Sequence, residues 1–149
     1  MDRSADPGRP SSPMLWGPLV ALAVLAVSLF VRPDLLIGRS AADFIIVTVV
    51  LGGGAAWLTG KAVARSWEPY SYLVVYGLLL AAAVRFCHFA LFEDTLFALK
   101  QTVPEFALLF SIATLGFRAM RRRQMTRQYG WLYEPSGRMS WKASAGTER

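Results

Sequence analysis

The fold class this sequence predicts is all-α: a polytopic membrane protein with a four-helix transmembrane bundle and a short C-terminal tail. Three observations predict it. Over 149 residues, 54% are hydrophobic and only 17% are charged. The apolar residues gather in four long blocks, with nearly all charges between or after them. Bilayer hydrocarbon is roughly 30 Å thick and a helix rises about 1.5 Å per residue, so about 17 to 25 residues cross it, and every block reaches that length.

Residues 1–14 are polar and rich in Pro, Ser and Gly. They carry too little apolar surface to offset the entropy of ordering them, and a disordered lead is expected. The first block, 15–31, is short and near the start, so it could be read as a signal peptide. No small-x-small cleavage site follows it, because the chain continues Leu29-Phe30-Val31-Arg32-Pro33, and an uncleaved first span is favoured.

The second block, 44–64, opens on Ser40-Ala-Ala-Asp43, the spacing at which a hydroxyl and a carboxylate cap a helix's free amides. The third, 70–92, begins just after Glu68-Pro69, and proline is tolerated where the first turn's amides lack partners anyway. The fourth, 103–120, is introduced by Thr102-Val-Pro-Glu105, again with capping-box spacing. All four read as helices.

Lys and Arg set the orientation. Arg3, Arg9, Lys61, Arg65 and the eight basic residues from Arg118 onward fall on one side; Arg32, Arg39 and Lys100 fall on the other. Both termini are therefore expected in the cytoplasm. The same clustering accounts for the net charge of +6, since a basic tail beside a membrane helix is drawn to anionic lipid; nucleic-acid binding is not expected. A single cysteine, Cys87, excludes an intrachain disulfide, and a single histidine, His88, excludes a multi-histidine metal site. The chain has no phosphate-binding glycine loop, nucleophile signature or metal-ligand cluster. An enzyme is not expected, nor is a cofactor or metal.

Three features stand out within this frame. Gly52, Ala56 and Gly60 recur every fourth residue, with Gly53 and Gly54 beside them, forming a stripe that lets another backbone approach closely in lipid. Packing on the third helix, which offers Gly77 and Ala81 at the same spacing, is the ordinary reading, and homodimerisation is the alternative.

Arg85 lies inside a span, where a charge costs a few kcal/mol and faces a partner or a polar cavity. Glu105 is its nearest candidate partner, with Glu93 and Asp94 as others; His88 shares its helix face. Three readings follow: the arginine is paired and snorkelling, these residues form a polar site for an anion, substrate or proton relay, or Arg85 contacts a partner subunit.

The segment 121–149 is basic and unusually aromatic for a solvating tail. Arg121, Arg122, Arg123, Arg127, Tyr129, Trp131, Tyr133 and Trp141 are candidates for contact with membrane lipid or a protein partner. Glu134-Pro-Ser-Gly137 fits a type I turn that would fold Trp131–Tyr133 back toward Met139–Trp141.

The segments Leu51-Gly-Gly-Gly-Ala-Ala-Trp-Leu-Thr-Gly60, Tyr76-Gly-Leu-Leu-Leu-Ala-Ala-Ala83 with Arg85-Phe86, Ala90-Leu-Phe92 and Tyr129-Gly-Trp-Leu-Tyr-Glu134 give the region from Phe44 to Trp141 a resemblance. It resembles an uncharacterised family of small bacterial inner-membrane proteins, a domain of unknown function. The resemblance implies three spans, so that the segment before Ser40 is an addition. It also implies an acidic residue before the arginine, where this chain has Val84, so Arg85 must find its counter-charge elsewhere. Family genes often neighbour those of branched-chain amino-acid ABC transporters, which implies an accessory role near such a permease. Two functions are thus expected: an accessory or assembly component of a membrane complex, or a small oligomeric transporter or channel component with a polar site at Arg85 and His88.

Overall fold

The structure is a computed structural model that describes residues 13–33, 40–92 and 99–144. The expected disordered lead, the outer-loop acids Asp34, Glu93 and Asp94, and the last five residues lie outside the described residues, apart from Pro13 and Met14, which open the first helix. Four helices run as α1 (Pro13–Val31), α2 (Ala41–Arg65), α3 (Tyr70–Phe92) and α4 (Leu99–Gln128). A short hairpin of β1 (Tyr133–Pro135) and β2 (Trp141–Ala143) follows. All four helices are long and apolar enough to cross a membrane.

The second and third helices begin close to where the sequence places them, but the capping chemistry differs. Ser40 stands at the start of α2 without a side-chain capping bond; its carbonyl accepts from the Phe44 N–H instead. The fourth helix departs further. Thr102 to Glu105 lie inside α4 and do not cap it. Leu99–Thr102 and Arg121–Gln128 are mostly straight-chain residues that favour helix, so the change to polar residues ended the apolar block without ending the helix. Pro104 sits within this helix, and its missing N–H removes one backbone bond near the start.

Helix α4 is the hub, packing on each of the other three. The core between the helices consists of Val47, Ala56, Val63, Ala64, Leu73, Ala81, Val84, Leu109, Ala113 and Phe117. Alanine and valine dominate it, so the backbones approach closely. The outer faces are equally apolar: Ile45, Ile46, Val49, Val50 and Leu51 are exposed together on α2, as are Val74, Val75, Leu78 and Leu79 on α3. A continuous exposed patch of this kind in a water-soluble domain would promote aggregation, whereas in lipid it is the expected surface. Helix α1 is peripheral, with none of its described residues buried, and it rests mainly on α4.

The small-residue stripe is buried mainly against α4, with Gly52 also meeting the third helix the sequence suggested. A side chain added at Gly60 would overlap the Ala113 carbonyl of α4, and one at Gly116 of α4 would come within 2.5 Å of the Trp57 carbonyl oxygen. Gly52 faces Leu109 and Val84, and Gly77 of α3 faces Phe110 of α4. Both glycine positions thus pack on α4 and do not pair with each other. Gly116 completes the close crossing by removing the second side chain from the α2–α4 contact. Gly54 faces open space and adds nothing to this contact.

Candidate functional site

Four of the polar residues buried in the bundle, Thr48, Arg85, His88 and Glu105, come together around the one carboxylate. Glu105 is 4% exposed and projects from the second turn of α4. Its Oε1 accepts from the Thr48 hydroxyl of α2 at 2.9 Å and lies 3.2 Å from His88 Nε2 of α3. Its Oε2 faces Arg85 Nη1, also on α3, at 3.8 Å. Arg85 Nη2 donates to Gln101 Oε1 of α4 at 3.4 Å. Four residues from Glu105, Gln101 stands on the same helix face, so α4 presents two acceptors to one arginine.

The hydrogen count sets the direction of the bonds around His88 Nε2. Thr48 has one hydroxyl proton, and it points at Glu105. Thr48 Oγ1, 2.8 Å from His88 Nε2, must therefore accept there, so Nε2 carries the proton and shares it between Thr48 and Glu105. One carboxylate thus ties α2, α3 and α4 together; Glu93 and Asp94, the other expected partners of Arg85, lie outside the described residues.

Thr48 lies in a stretch, Phe44–Gly52, wound as a π-helix. Gly53 N–H reaches back five residues to the Thr48 carbonyl, the widened turn of that geometry. Phe44, Val47, Thr48 and Gly52 are its buried residues.

A second constellation occupies the basic end of the bundle. Arg121 donates to the Glu68 carbonyl at 2.9 Å, with its guanidinium 4.7 Å from the Trp67 ring centroid and 5.2 Å from that of Phe117. It clamps the α2–α3 loop onto α4. Trp67 itself has φ 60, a strained conformation for a bulky residue, and its ring also meets Tyr129 edge-on at 6.3 Å. Gln124 donates to the Arg65 carbonyl at 3.4 Å, closing the end of α2 in the same way. Replacing Arg121 with glutamine is expected to cost about 1–2 kcal/mol, from the lost cation–π and hydrogen-bond contacts. Faster proteolysis at the Ser66–Pro69 loop would register the loss.

Beyond α4 the chain folds into the hairpin, in the register Tyr133 with Ala143, Glu134 with Lys142 and Pro135 with Trp141. The fold-back expected of this region is present, but its turn is not at Glu134–Gly137. Glu134 and Pro135 are paired in β1, and Ser136 to Ser140 make the loop, with the Ser136 N–H donating to the Ser140 carbonyl at 3.2 Å. Trp141 turns inward, 7% exposed, and the Arg118 guanidinium, itself buried, lies 5.5 Å from its ring centroid.

Arg121 and Trp141, expected to face lipid or a partner, are therefore engaged within the chain. Trp131 is the opposite case at 74% exposed, with Tyr129 also exposed and Tyr133 half-buried. Arg123 and Arg127 are exposed nearby in sequence, and Arg122 is half-buried.

Sequence reasoning did not single out Thr48, Gln101, Gly116 or Trp67. A hydroxyl amid Ile45-Ile-Val-Thr-Val-Val-Leu51 is a usable signal, because such groups bond across helices in lipid. Trp67 carried no signal of its strain.

These features define a class: a helical protein with four helices long and apolar enough to cross a membrane, a charged knot in its core and a folded basic cap. The family sequence model described as Domain of unknown function (DUF6867) matches residues 39–144, and the chain belongs to that family. The match begins after α1, the helix with none of its described residues buried. No curated protein and no solved structure matches the chain.

Proposed function

We propose that this chain is a non-enzymatic accessory or assembly component of a bacterial inner-membrane complex, with both termini cytoplasmic, docking through the exposed Trp131 face of its C-terminal cap. The observation that carries the reading is the contrast within the cap. Arg118 against Trp141 and Trp67 against Tyr129 hold it to the bundle, while Trp131 is left 74% exposed on that support. A large aromatic on a pre-organised platform, with arginines close by in sequence, has the composition of an interface hot spot. An amino-acid ABC transporter is the partner suggested by the resemblance to a family whose genes neighbour such transporters.

Gentle detergent extraction of the tagged chain and mass spectrometry of what co-purifies tests the reading. Stoichiometric subunits of a membrane complex are expected with the wild type. Trp131→Ala/Tyr133→Ala should lose them by at least about tenfold, the effect of one hot-spot residue, with an unchanged melting temperature. Recovery of the chain alone from both would overturn the proposal.

The second reading, a small oligomeric transporter or channel component, draws on the Arg85–His88–Glu105 cluster. It requires that Arg85→Gln abolish flux in liposomes at a temperature where the variant stays folded. The accessory reading expects that variant to keep its partner.

A further inference from the structure

The basic end of the bundle contains a cavity of about 210 Å³ whose polar lining is wholly cationic. Lys61 enters it from α2, Arg122 and Arg123 from α4, and Arg138 from the hairpin loop; Trp57 and Met120 form an apolar wall. No carboxylate is among the lining residues. Four like charges converging from three elements repel one another, which a fold tolerates when an anion shares the space. Arg122 Nε adds an independent sign: it is buried and has no hydrogen-bond partner among the described residues. A buried donor of that kind is rare in a folded chain unless a bound group or water satisfies it.

We infer that this cavity binds the phosphate group of an acidic phospholipid. Arginine forks suit phosphate oxygens geometrically as well as electrostatically. The depth of the site favours a lipid over a free ion. At about 1.5 Å per residue, α2 climbs roughly 30 Å from Ala41 to Lys61, the thickness of the hydrocarbon layer, so Lys61 stands at headgroup level. Trp57, one turn earlier on α2, lies where an indole prefers the interface, and with Met120 it supplies a wall for the glycerol and upper acyl carbons. The hairpin acquires a role from this geometry: folding back delivers Arg138 to the site.

The test is native mass spectrometry of the delipidated full chain, titrated in parallel with phosphatidylglycerol, phosphatidylcholine and inorganic phosphate. One saturable phosphatidylglycerol site is expected, preferred over phosphatidylcholine. Lys61→Gln/Arg138→Gln should weaken it about thirtyfold, as expected from losing two basic residues near a lipid phosphate. Arg65→Gln/Lys142→Gln, which removes the same charge outside the cavity, should weaken it about threefold or less, because charges that do not touch the phosphate act only through screened, longer-range attraction. Melting each variant without lipid checks that it is folded, and the charge-preserving Lys61→Arg/Arg138→Lys should retain binding if the pocket is intact. Equal weakening by the two charge-removing pairs would overturn the inference in favour of diffuse attraction, as would no weakening by either. Saturable binding of inorganic phosphate, lost in Lys61→Gln/Arg138→Gln, would keep the phosphate site and overturn its assignment to lipid.

Discussion

Glu105→Ala is expected to destabilise the bundle by about 3–5 kcal/mol, the cost of removing one partner from a buried charge pair. Arg85, 5% exposed, would keep its charge inside the bundle with the carboxylate 3.8 Å away removed. Thr48 and His88 would lose the acceptor they share. Unfolding in a denaturing detergent series, followed by circular dichroism, measures the loss.

The ionic part can be separated from the hydrogen bonds. Glu105→Gln retains an acceptor for Thr48 but removes the charge, so it should be nearly as damaging as the alanine. Arg85→Gln/Glu105→Gln removes both charges together and should recover a large part of the loss, because no uncompensated charge remains. Additive losses in the double variant would show that Arg85 and Glu105 do not act as a pair.

Gly60→Leu is expected to be as severe by another route. Even a methyl group at this position overlaps the Ala113 carbonyl, so the obstacle is backbone and cannot rotate aside. The helices must separate, and the Gly116 contact with Trp57 opens with them. Overpacking costs about 1–3 kcal/mol where side chains can adjust, and the expected loss here is at or above the upper end. Gly54→Leu is the matched control, since an added side chain there meets nothing within 4 Å; it should leave the unfolding transition in place. If Gly60→Leu melted like Gly54→Leu, the close α2–α4 crossing would be wrong.

The parts of this architecture legible in the sequence are those governed by short-range chemistry. Hydrophobic block length located every helix, because each block is long enough to cross a bilayer's hydrocarbon layer. Helix ends were harder. Polarity ends an apolar block, but α4 continues through Arg121–Gln128 because those residues favour helix in water as well.

The same distinction governed the site. Arg85 announced itself as a charge in a span, and Glu105 was the acid at the right level. Thr48 lies 57 residues from Glu105 in sequence, and only the packing of α2 on α4 brings them together. The partner of the glycine stripe was obscure for a related reason. Periodicity shows which face of a helix is bare but not which neighbour covers it, and here α4 covers both Gly60 and Gly77. In the tail, the aromatic residues were visible but their division into inward Trp141 and outward Trp131 was not. The strands pair Pro135 with Trp141, and the loop begins two residues later than the Glu-Pro-Ser-Gly turn signal suggests.

The central claim, that the cap is a docking platform, is tested most directly by placing a photo-crosslinking amino acid at Trp131 in the native membrane. The matched position is Phe30 on α1, which is 88% exposed on an apolar helix. The account predicts that position 131 crosslinks to one defined membrane-complex subunit, while position 30 yields lipid adducts. Lipid adducts alone at both positions would contradict it, and would identify Trp131 as an anchor in the membrane surface.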